Sequence, residues 1–454
     1  MSRQFTAAFR AFGCRLNQSE TEALAASFAD AGFSVLNGGQ EADVFVFSTC
    51  TVTGKAEQKA RRELRAAARA CPNALILVSG CYAEVDPDAL EALSPRILVI
   101  PGSRKSAIGT MAVPLLDALE HRLDTVQEAR ALAHAALGRV IDPFAFKPGD
   151  FSYRSRAGLK VQDGCDNRCA YCRVCIARGP SRSLQPAVAL ERAQALEASG
   201  FPEIVLTGVN LSQYRSDAMD FSALLDFLLA GTSRAAFRIS SYEPDRVDDA
   251  FLRVFSHKRV RPHLHLAAQS GSDAVLSAML RGYGRRAIID AAHGARSAKA
   301  DPFIGMDLIA GFPGEDEAAF SDTMDMLQQT QPAGLHAFPF SPRPGTAAFT
   351  MSPRVPERIA GQRVAAMSQL AAGFRAEFAH RRLGCVLDVV LERQDSSPDD
   401  EAESSVPAMA VSAEYLNVLI SNVPAGAGPA LRCTAVSAPA VHGGPDIVAD
   451  ADCP

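Results

Sequence analysis

QDGCDNRCAYCRVC (residues 162–175) holds four of the 11 cysteines of this 454-residue chain. Cys165, Cys169 and Cys172 follow the spacing Cys-x3-Cys-x2-Cys, which places three thiolates on one loop. Three thiolates can ligate three irons of a [4Fe–4S] cubane and leave the fourth iron open to another ligand. An open coordination position separates catalytic from structural metal sites. The stretch therefore predicts an iron–sulfur centre that takes part in chemistry.

A closed metal site is the alternative for the same loop. Cys175 stands three residues after Cys172 and could supply a fourth ligand, which would give a zinc or electron-transfer site. Zinc sites usually show two Cys-x2-Cys pairs, or one pair with two histidines at short spacing, and the loop has neither. The spacing favours the open three-cysteine cluster.

The loop directly follows the first of six β-type runs that alternate with helical stretches. These runs are LKVQDG (159–164), EIVLTG (203–208), FRISSY (237–242), HLHLA (263–267), IGMDLI (304–309) and GLHAF (334–338). Strands that alternate with helices indicate a parallel sheet. Six such units can form an open or partial (β/α)6 barrel or a doubly wound sheet, and the spacing does not decide between them. In both folds, active sites collect where the strands end.

Residues 1–120 show a second α/β pattern, which predicts an open parallel sheet. Its β-type runs are FTAAFRAFG (5–13), DVFVFST (43–49), ALILVSG (74–80) and ILVIPG (97–102). Cys14, Cys50 and Cys81 each follow one of these runs directly. Because the carboxyl ends of parallel strands line one crevice, these three cysteines can meet and hold a second cluster. The alternative is that they are inert buried cysteines.

Composition divides the rest of the chain. Residues 121–157 predict a connector broken by Pro143, Pro148 and Gly149, and residues 158–384 carry the six-run series. Residues 385–454 predict a small β-rich appendage with an acidic loop at 395–407. The appendage holds two arginines against eleven acidic residues, whereas the preceding part holds 44 basic and 40 acidic residues. Since phosphates are bound largely by Lys and Arg, a nucleic acid should contact the body of the chain.

Hydropathy predicts a cytoplasmic protein without a membrane partner. The hydrophobic fraction is 48% and the mean hydropathy is +0.02, and no run of 18 apolar residues occurs. The first residues lack the apolar stretch of a secretory signal. Disulfides are rare in a reducing cytosol, so the many cysteines favour metal binding. Cys71, Cys385, Cys433 and Cys453 share no ligand spacing.

The two cysteine sets together resemble the radical SAM methylthiotransferases. The matching N-terminal motifs are GCRLNQSE (13–20), STCTVT (48–53) and SGCYAE (79–84). The matching core motifs are QDGCDNRCAYC (162–172), ARGPSRS (177–183), EIVLTGVN (203–210), LAAQSGSD (266–273), GMDLIAGFPGE (305–315) and FPFSPRPGTAA (338–348). The resemblance implies a partial (β/α)6 barrel for residues 158–384, two [4Fe–4S] clusters and S-adenosylmethionine (SAM). It assigns Cys14, Cys50 and Cys81 to an auxiliary cluster and Cys165, Cys169 and Cys172 to the SAM cluster.

Within this family, TCTVTGKAEQKARRELR (49–65) is similar to the branch that acts on N6-threonylcarbamoyladenosine next to the tRNA anticodon. Other branches act on isopentenyladenosine in tRNA or on a ribosomal-protein aspartate. The resemblance implies transfer of a methylthio group to an unactivated C–H bond by SAM-derived radical chemistry. It also implies an electron donor such as a flavodoxin or ferredoxin. The appendage occupies the place of the family's usually basic TRAM module, but its acidic charge does not suit phosphate.

The resemblance also suggests SAM contacts at the ends of the predicted barrel strands. Candidate residues are Tyr171, Gly208, Asn210, Ser241, Glu243, Gln269 and Ser270. The alternative is ordinary loop and helix-cap chemistry, which residues of these types also serve.

Two basic sets near the cysteines could bind the anticodon loop of tRNA. Candidate residues are Lys55, Lys59, Arg62, Arg65 and Arg69 at helical spacing, together with Arg178 and Arg182. A charged stripe is also typical of a solvated helix face.

Two other functions compete with an enzyme of this kind. A two-cluster electron carrier predicts two fully ligated clusters and no SAM binding. An RNA-binding module with structural zinc predicts zinc in place of iron and sulfide.

Overall fold

The computed structural model describes residues 4–37, 41–137, 142–146, 155–392, 406–424, 426–439 and 444–451. These residues form an N-terminal parallel sheet, a central series of six parallel strands and a C-terminal closed barrel. The predicted fold class is confirmed. Pro148, Gly149, Cys453 and most of the acidic loop lie outside the described residues.

The N-terminal domain is a five-stranded sheet in the order β2-β1-β3-β4-β5, with every pair parallel. Its strands are β1 (Thr6–Ala11), β2 (Ser34–Asn37), β3 (Val44–Thr49), β4 (Leu75–Gly80) and β5 (Ile97–Val99). Strands β3 and β4 are buried at every position, as expected for central strands covered on both faces. The short edge strand β2 was not predicted, because its four residues carry no clear alternation.

Helices cover both faces of this sheet. They are α1 (Arg15–Asp30), α2 (Gly54–Ala70), α3 (Cys81–Val85), α4 (Pro87–Glu91), α5 (Ala107–Thr110), α6 (Ala112–Glu120) and α7 (Thr125–Leu137). Helices α1 and α5 to α7 pack on one face, and α2 to α4 pack on the other. Helix α7 falls in the segment predicted to be a connector. Its Val126, Ala129 and Leu132 repeat at helical spacing and join the core of the N-terminal domain.

The central domain contains six parallel strands and two small antiparallel pairs. Its strands are β6 (Ala157–Lys160), β7 (Gln162–Asp163), β8 (Arg182–Ser183), β9 (Glu203–Thr207), β10 (Arg215–Ser216), β11 (Met219–Asp220), β12 (Ala236–Ile239), β13 (His263–Gln269), β14 (Phe303–Ala310) and β15 (Gly334–Pro339). Two hydrogen-bonded groups, β12-β9-β6 and β13-β14-β15, are joined by parallel bridges at Phe237–Val260 and Tyr242–Leu266. Each of the six parallel strands therefore neighbours its sequence neighbour. This order is that of a partial barrel, because a doubly wound sheet reverses its strand order at a switch point.

Helices surround the partial barrel on its outer side. They are α9 (Pro186–Ala198), α10 (Phe221–Gly231), α11 (Asp249–Phe255), α12 (Asp273–Ala278), α13 (Arg285–Ala298), α14 (Glu317–Thr330) and α15 (Glu357–His380). Helix α8 (Val174–Arg178) lies instead against α3 of the N-terminal domain. Short 3-10 turns lie at Gly102–Arg104, Leu211–Gln213, Pro244–Arg246 and Ala347–Phe349. Among the helices described, none has the length and apolar composition needed to cross a bilayer.

The C-terminal domain is a closed barrel in the order β16-β17-β18-β20-β19. Its strands are β16 (Val386–Leu391), β17 (Val406–Ser412), β18 (Asn417–Val423), β19 (Ala430–Ser437) and β20 (Ile447–Ala451). The turn between β17 and β18 lies against the amino end of the central barrel. There the Tyr415 ring packs on His263 with centroids 4.5 Å apart, and Arg238 Nη2 donates to Ser412 O at 3.2 Å.

Candidate active site

The first predicted site is a tight loop at the carboxyl end of the first barrel strands. Cys165 N donates to Gly179 O at 3.1 Å, and Cys172 N donates to Cys169 O at 3.0 Å. Gly164 has φ +72°, and a Cβ on it would lie 1.9 Å from Pro180 O. Glycine is therefore required where the chain enters the loop, since it tolerates both the dihedral angle and the close approach.

Each sulfur of this loop accepts a hydrogen bond. Asn210 Nδ2 lies 3.9 Å from Cys165 Sγ, and Arg281 Nη1 lies 3.1 Å from Cys169 Sγ. The sulfur of Cys172 accepts from a backbone N–H at 3.4 Å. Burial raises the pKa of Cys165 and raises the pKa of Cys172 to about 12. Both thiols are therefore protonated at neutral pH in the free protein, and a metal must displace their protons.

Cys175 lies in α8, directly after the loop. Its sulfur is 3.8 Å from Cys172 O, so the contact is with the loop backbone and not with a cysteine sulfur. This contact gives no support to a closed four-cysteine site.

Two of the predicted SAM contacts belong to a hydrogen-bonded group beside the loop. Glu243 Oε1 accepts from Asn210 Nδ2 at 3.2 Å and from Asn167 Nδ2 at 3.2 Å. Its Oε2 accepts from Arg281. Burial raises the pKa of Glu243, and the positive charge of Arg281 opposes that shift. Arg281 and Asn167 were not predicted as site residues, although Asn167 lies inside the cysteine loop itself.

The remaining predicted contacts lie at the same end of the barrel in different environments. Gly208 packs closely on Gln162, whose Oε1 would lie 2.8 Å from an added Cβ. Tyr171 packs edge-on against Phe312 with centroids 6.5 Å apart. Ser241 follows the end of β12, and Gln269 ends β13 with φ +65°.

Ser270 has the environment of a structural residue. It is 1% exposed, its hydroxyl lies 3.4 Å from that of Thr323, and it accepts from Ser272 N at 3.2 Å. These contacts favour the loop-stabilising alternative at this position.

The second predicted site brings together three strand ends. Cys14, Cys50 and Cys81 follow β1, β3 and β4, which are consecutive neighbours in the sheet. A Cβ on Gly13, which has φ +85°, would lie 2.5 Å from Cys50 Sγ. Burial, followed by the nearby Cys14 and Cys81 thiolates, raises the pKa of Cys50 to about 12. Cys14 is exposed, whereas the other two are buried.

The spacing of the sulfurs does not match a single-ion site in either trio. Among the described residues, the group whose ligand atoms all lie within 4.8 Å of one another is His265, Asp307 and His336, and it contains no cysteine. Ligands of one ion converge on one point, whereas thiolates on separate irons of a cubane stand further apart. Neither trio therefore has the compact geometry of a single-ion site in this structure.

The two sites face one another across the domain interface. Arg178, at the end of α8, donates from Nε to Cys81 Sγ at 3.4 Å. Its other nitrogens pair with Glu20 at 3.0 Å and Asp163 at 2.9 Å. Burial opposes ionisation of Glu20, but the charges of Arg178, Lys105 and Lys160 outweigh it and hold the pKa well below its ordinary value.

A second set of contacts joins the domains near Cys50. Arg173 Nη1 and Arg343 Nη2 donate to Thr51 Oγ1 at 3.4 and 3.2 Å. Glu57 of α2 pairs with both guanidinium groups. The space between the two cysteine sites is therefore bounded by ion pairs from both domains.

The basic candidates divide into exposed and buried residues. Helix α2 buries Ala60, Leu64 and Ala67. Its opposite face exposes the predicted stripe of Lys55, Lys59, Arg62, Arg65 and Arg69. Arg182 is also exposed. The Arg178 side chain is only 10% exposed, and its ion pairs favour a role in joining the domains over an RNA contact. Cys71 and Cys385 lie apart from both trios, and Cys433 is buried in the C-terminal barrel.

Family models match two parts of the chain. The model described as "Uncharacterized protein family UPF0004" matches residues 6–102, and the model of the radical SAM superfamily matches residues 159–327. These two segments contain the two cysteine trios.

Similar proteins cover most of the chain. A threonylcarbamoyladenosine tRNA methylthiotransferase MtaB of Treponema pallidum is 42% identical over 418 residues, which cover 81% of this chain and 87% of the relative. The protein of the same name from Bacillus subtilis is 32% identical and covers 87% of each chain. A tRNA-2-methylthio-N(6)-dimethylallyladenosine synthase of Acidothermus cellulolyticus is 32% identical, covering 86% of this chain and 78% of the relative.

The fold also resembles a solved structure at low sequence identity. The radical S-adenosylmethionine methyltransferase TsrM of Kitasatospora setae superposes with a TM-score of 0.51 and 13% identity. The match covers 76% of this chain and 77% of TsrM.

Proposed function

Because the chain belongs to the radical SAM tRNA methylthiotransferases, we propose that it adds a 2-methylthio group to N6-threonylcarbamoyladenosine in tRNA. Enzymes of this family use SAM and [4Fe–4S] clusters. The threonylcarbamoyl substrate is favoured because the Treponema pallidum relative with that name is 42% identical to this chain, whereas the dimethylallyladenosine synthase is 32% identical. The modified base lies next to the anticodon, and its C2 atom accepts the methylthio group.

The convergence of three strand-end cysteines is the observation that carries the proposal. Cys14, Cys50 and Cys81 would hold an auxiliary cluster, and the loop trio, Cys165, Cys169 and Cys172, would hold the SAM cluster. When bound, a cluster with an open iron supplies, with SAM, a one-electron route to an unactivated C–H bond. A site with only the loop trio would lack the second centre that a sulfur transfer needs.

The residues around the loop would hold the thiolates and orient a ligand. Arg281 and Asn210 donate to two of the sulfurs, and charge-assisted hydrogen bonds of this kind favour the thiolate form. The buried Glu243 carboxylate, held by Asn167 and Asn210, offers an acceptor for a cationic group of SAM. Burial of these groups keeps water away from the place where the reaction occurs.

The exposed stripe of α2 and Arg182 would bind the anticodon stem-loop. The stripe begins at Lys55, five residues after Cys50, and Arg182 is ten residues after Cys172. RNA contacts there would direct a nucleotide into the space between the domains. Single-stranded loop bases can be splayed out and read individually, as an enzyme acting on an adenine carbon requires. A flavodoxin or ferredoxin would supply the electron.

Mass spectrometry of tRNA nucleosides from a deletion strain tests the proposal. We expect loss of the 2-methylthio derivative of threonylcarbamoyladenosine, with accumulation of its unthiolated precursor. Return of the product with the wild-type gene, but not with Cys50→Ala, would link the activity to the auxiliary trio. Retention of the product in the deletion strain would contradict the substrate. Loss of the dimethylallyl derivative instead would assign the chain to that branch, and a reconstituted protein without SAM cleavage would favour an electron carrier.

A further inference from the structure

A histidine–aspartate–histidine cluster (His265, Asp307, His336) lies on three adjacent strands of the central barrel. His265 Nε2 is 2.9 Å from Asp307 Oδ1, and His336 Nδ1 is 3.1 Å from the same oxygen. The strand register places Asp307 directly opposite His336 and His265 opposite Gly305. A Cβ on Gly305 would lie 2.6 Å from His265 Nδ1, so this glycine makes room for the ring.

The cluster faces the interior of the barrel. The alternating residues Leu264, Leu266 and Met306 are fully buried in the core between strands and helices. Because successive side chains of a strand point to opposite faces, the cluster points to the other face, which lines the interior. Its side chains are progressively more open, with 13% of His265, 30% of Asp307 and 63% of His336 exposed. The cluster is therefore accessible to a ligand that enters the barrel.

The same interior face carries polar atoms without partners. The buried atoms Thr207 Oγ1, Arg238 Nη1, Ser240 Oγ and His263 Nδ1 have no hydrogen-bond partner among the described residues. Arg238 is 1% exposed and His263 is 5% exposed. Buried polar atoms are normally satisfied. Arg238 and His263 lie beside the Tyr415 ring at the base of the barrel interior, whereas Thr207 Oγ1 and Ser240 Oγ leave hydrogen bonds open to a polar ligand in this chamber.

Positive charge predominates at the base of this chamber. There a single carboxylate, that of Glu203, pairs with two guanidinium groups, Arg238 at 2.6 Å and Arg261 at 2.8 Å. Burial lowers the pKa of His263, and the positive charges of Arg238, His265, Arg15 and Arg156 lower it further. Such surroundings favour an anionic ligand group at this end of the barrel interior.

The cluster lies below both cysteine sites. Two residues beyond His265 on the same strand face, Ala267 O accepts from Tyr283, whose hydroxyl also accepts from Arg281 at 2.7 Å. Arg281 reaches Cys169 of the loop trio. Beyond β15, Ser341 and Arg343 contact the segment that follows Cys50. A nucleotide held between the two sites therefore has the cluster within the reach of a base substituent.

An exposed aromatic ring lies next to the cluster. Phe338 is 45% exposed, two residues after His336 on the same face of β15, and their ring centroids are 6.4 Å apart. Exposed aromatic rings provide stacking surfaces for nucleobases. An adenine stacked on Phe338 would carry its N6 substituent towards the imidazole of His336.

We propose that His265, Asp307 and His336 recognise the threonylcarbamoyl group of the substrate. Nε2 of His336 would donate to its carboxylate, because Nδ1 of His336 and Nε2 of His265 are engaged by Asp307. Asp307 is the positioning residue, because its Oδ1 orients both rings. The inference rests on the proposed function and deepens it, since it identifies what distinguishes this substrate from a dimethylallyl-adenosine. An apolar dimethylallyl group offers no acceptor to the His336 donor, and a site built to bond a polar group discriminates strongly against an analogue that lacks it.

Binding of stem-loop RNAs to the reconstituted protein tests the proposal. Three anticodon stem-loops of one sequence would carry threonylcarbamoyladenosine, its carboxyl methyl ester or unmodified adenosine at the same position. We expect the wild-type protein to bind the acid roughly tenfold to a hundredfold more tightly than the ester, the range of a charge-assisted hydrogen bond. His336→Ala and the milder His336→Gln should remove this difference and leave the affinity for unmodified RNA unchanged. His380→Ala, which changes an exposed histidine of α15 bonded to its own helix, should behave as wild type.

Other outcomes would overturn the inference without touching the proposed function. Variants of His336 that still prefer the acid over the ester, while wild type methylthiolates the acid stem-loop, would remove the cluster from substrate recognition. A stoichiometric divalent metal other than cluster iron, lost in His336→Ala, would make the cluster a metal site instead. Failure of the wild-type protein to methylthiolate the stem-loop that carries threonylcarbamoyladenosine would contradict the proposed function itself. Cluster iron content, measured in every variant, shows whether the protein has folded.

Discussion

The two cysteine trios reach similar environments by different routes. The loop trio lies within residues 165–172 and is organised by backbone hydrogen bonds of its own loop. The strand-end trio is drawn from positions 14, 50 and 81 and exists only once β1, β3 and β4 have paired. One site is therefore encoded locally, whereas the other depends on the whole N-terminal sheet.

The two sites also differ in which domain supplies the hydrogen-bond donors to their sulfurs. The loop trio takes its donors, Asn210 and Arg281, from the central domain that carries it. The strand-end trio takes a donor from the other domain, since Arg178 reaches Cys81 across the interface. The second site should accordingly be the more sensitive to changes far from its cysteines.

Removing one cysteine of the loop trio should have the largest effect. In Cys172→Ala, SAM cleavage and methylthiolation should both fall to background, because the open iron would be lost with its cluster. Iron in anaerobically reconstituted protein should fall from about eight to about four per chain. Cleavage assays and iron analysis measure both results. Substantial SAM cleavage by this variant would show that the loop trio is not the reactive site.

Removing one cysteine of the strand-end trio should separate the two activities. Cys50→Ala should lose methylthiolation and about half of the iron, but keep SAM cleavage. The reason is that the cysteine lies on a different domain from the loop. Cys71→Ala is the matched control, since Cys71 lies at the end of α2 and belongs to neither trio. Loss of both activities in Cys50→Ala would contradict the division of work between the sites.

Removing the cation between the domains should weaken the second site without touching its cysteines. Arg178→Met would leave the buried Glu20 and Asp163 short of a partner, and breaking a buried ionic group costs about 3 kcal/mol or more. We expect a lower calorimetric transition temperature and selective loss of iron from the strand-end site. Arg182→Met changes an exposed arginine nearby and should shift stability by no more than about 0.5 kcal/mol. Equal behaviour of the two variants would refute the role of Arg178.

The smallest effect expected is from a single methyl group beside Cys50. In Gly13→Ala, the added Cβ would lie 2.5 Å from Cys50 Sγ at φ +85°, which should cost roughly 1–3 kcal/mol. Iron occupancy of the strand-end site should fall, and that of the loop site should not. Gly373→Ala, where a Cβ meets nothing within 4 Å, should be neutral or slightly stabilising. A Gly13→Ala protein with full iron content would show that the strand-end site accommodates the added methyl group.

Most of the strands could be predicted from the sequence because their patterns are local. The continuous apolar runs of β3 and β4 and the regular spacing of the six barrel strands are visible in the sequence itself. The spacing did not decide between a barrel and a doubly wound sheet, because that choice depends on strand order. The bridge from Tyr242 to Leu266 settles it by joining the two halves.

Partners contributed by distant segments could not be predicted. Arg281 contacts Cys169 from 112 residues away, and no spacing rule connects them. Arg178 was predicted to face RNA, because a sequence shows its charge but not the Glu20 carboxylate that covers it. The individual ligand assignments of the six cysteines stay predictions, whereas the cofactors themselves follow from the family.

The contact of Tyr415 with His263 has a consequence for the acidic appendage. The turn between β17 and β18 covers the amino end of the central barrel. Deleting residues 385–454 would therefore expose this end of the barrel interior to solvent. A C-terminal domain that only covers one end of the central barrel needs no basic surface. Its eleven acidic residues are then compatible with an RNA-modifying enzyme that binds RNA through its other two domains.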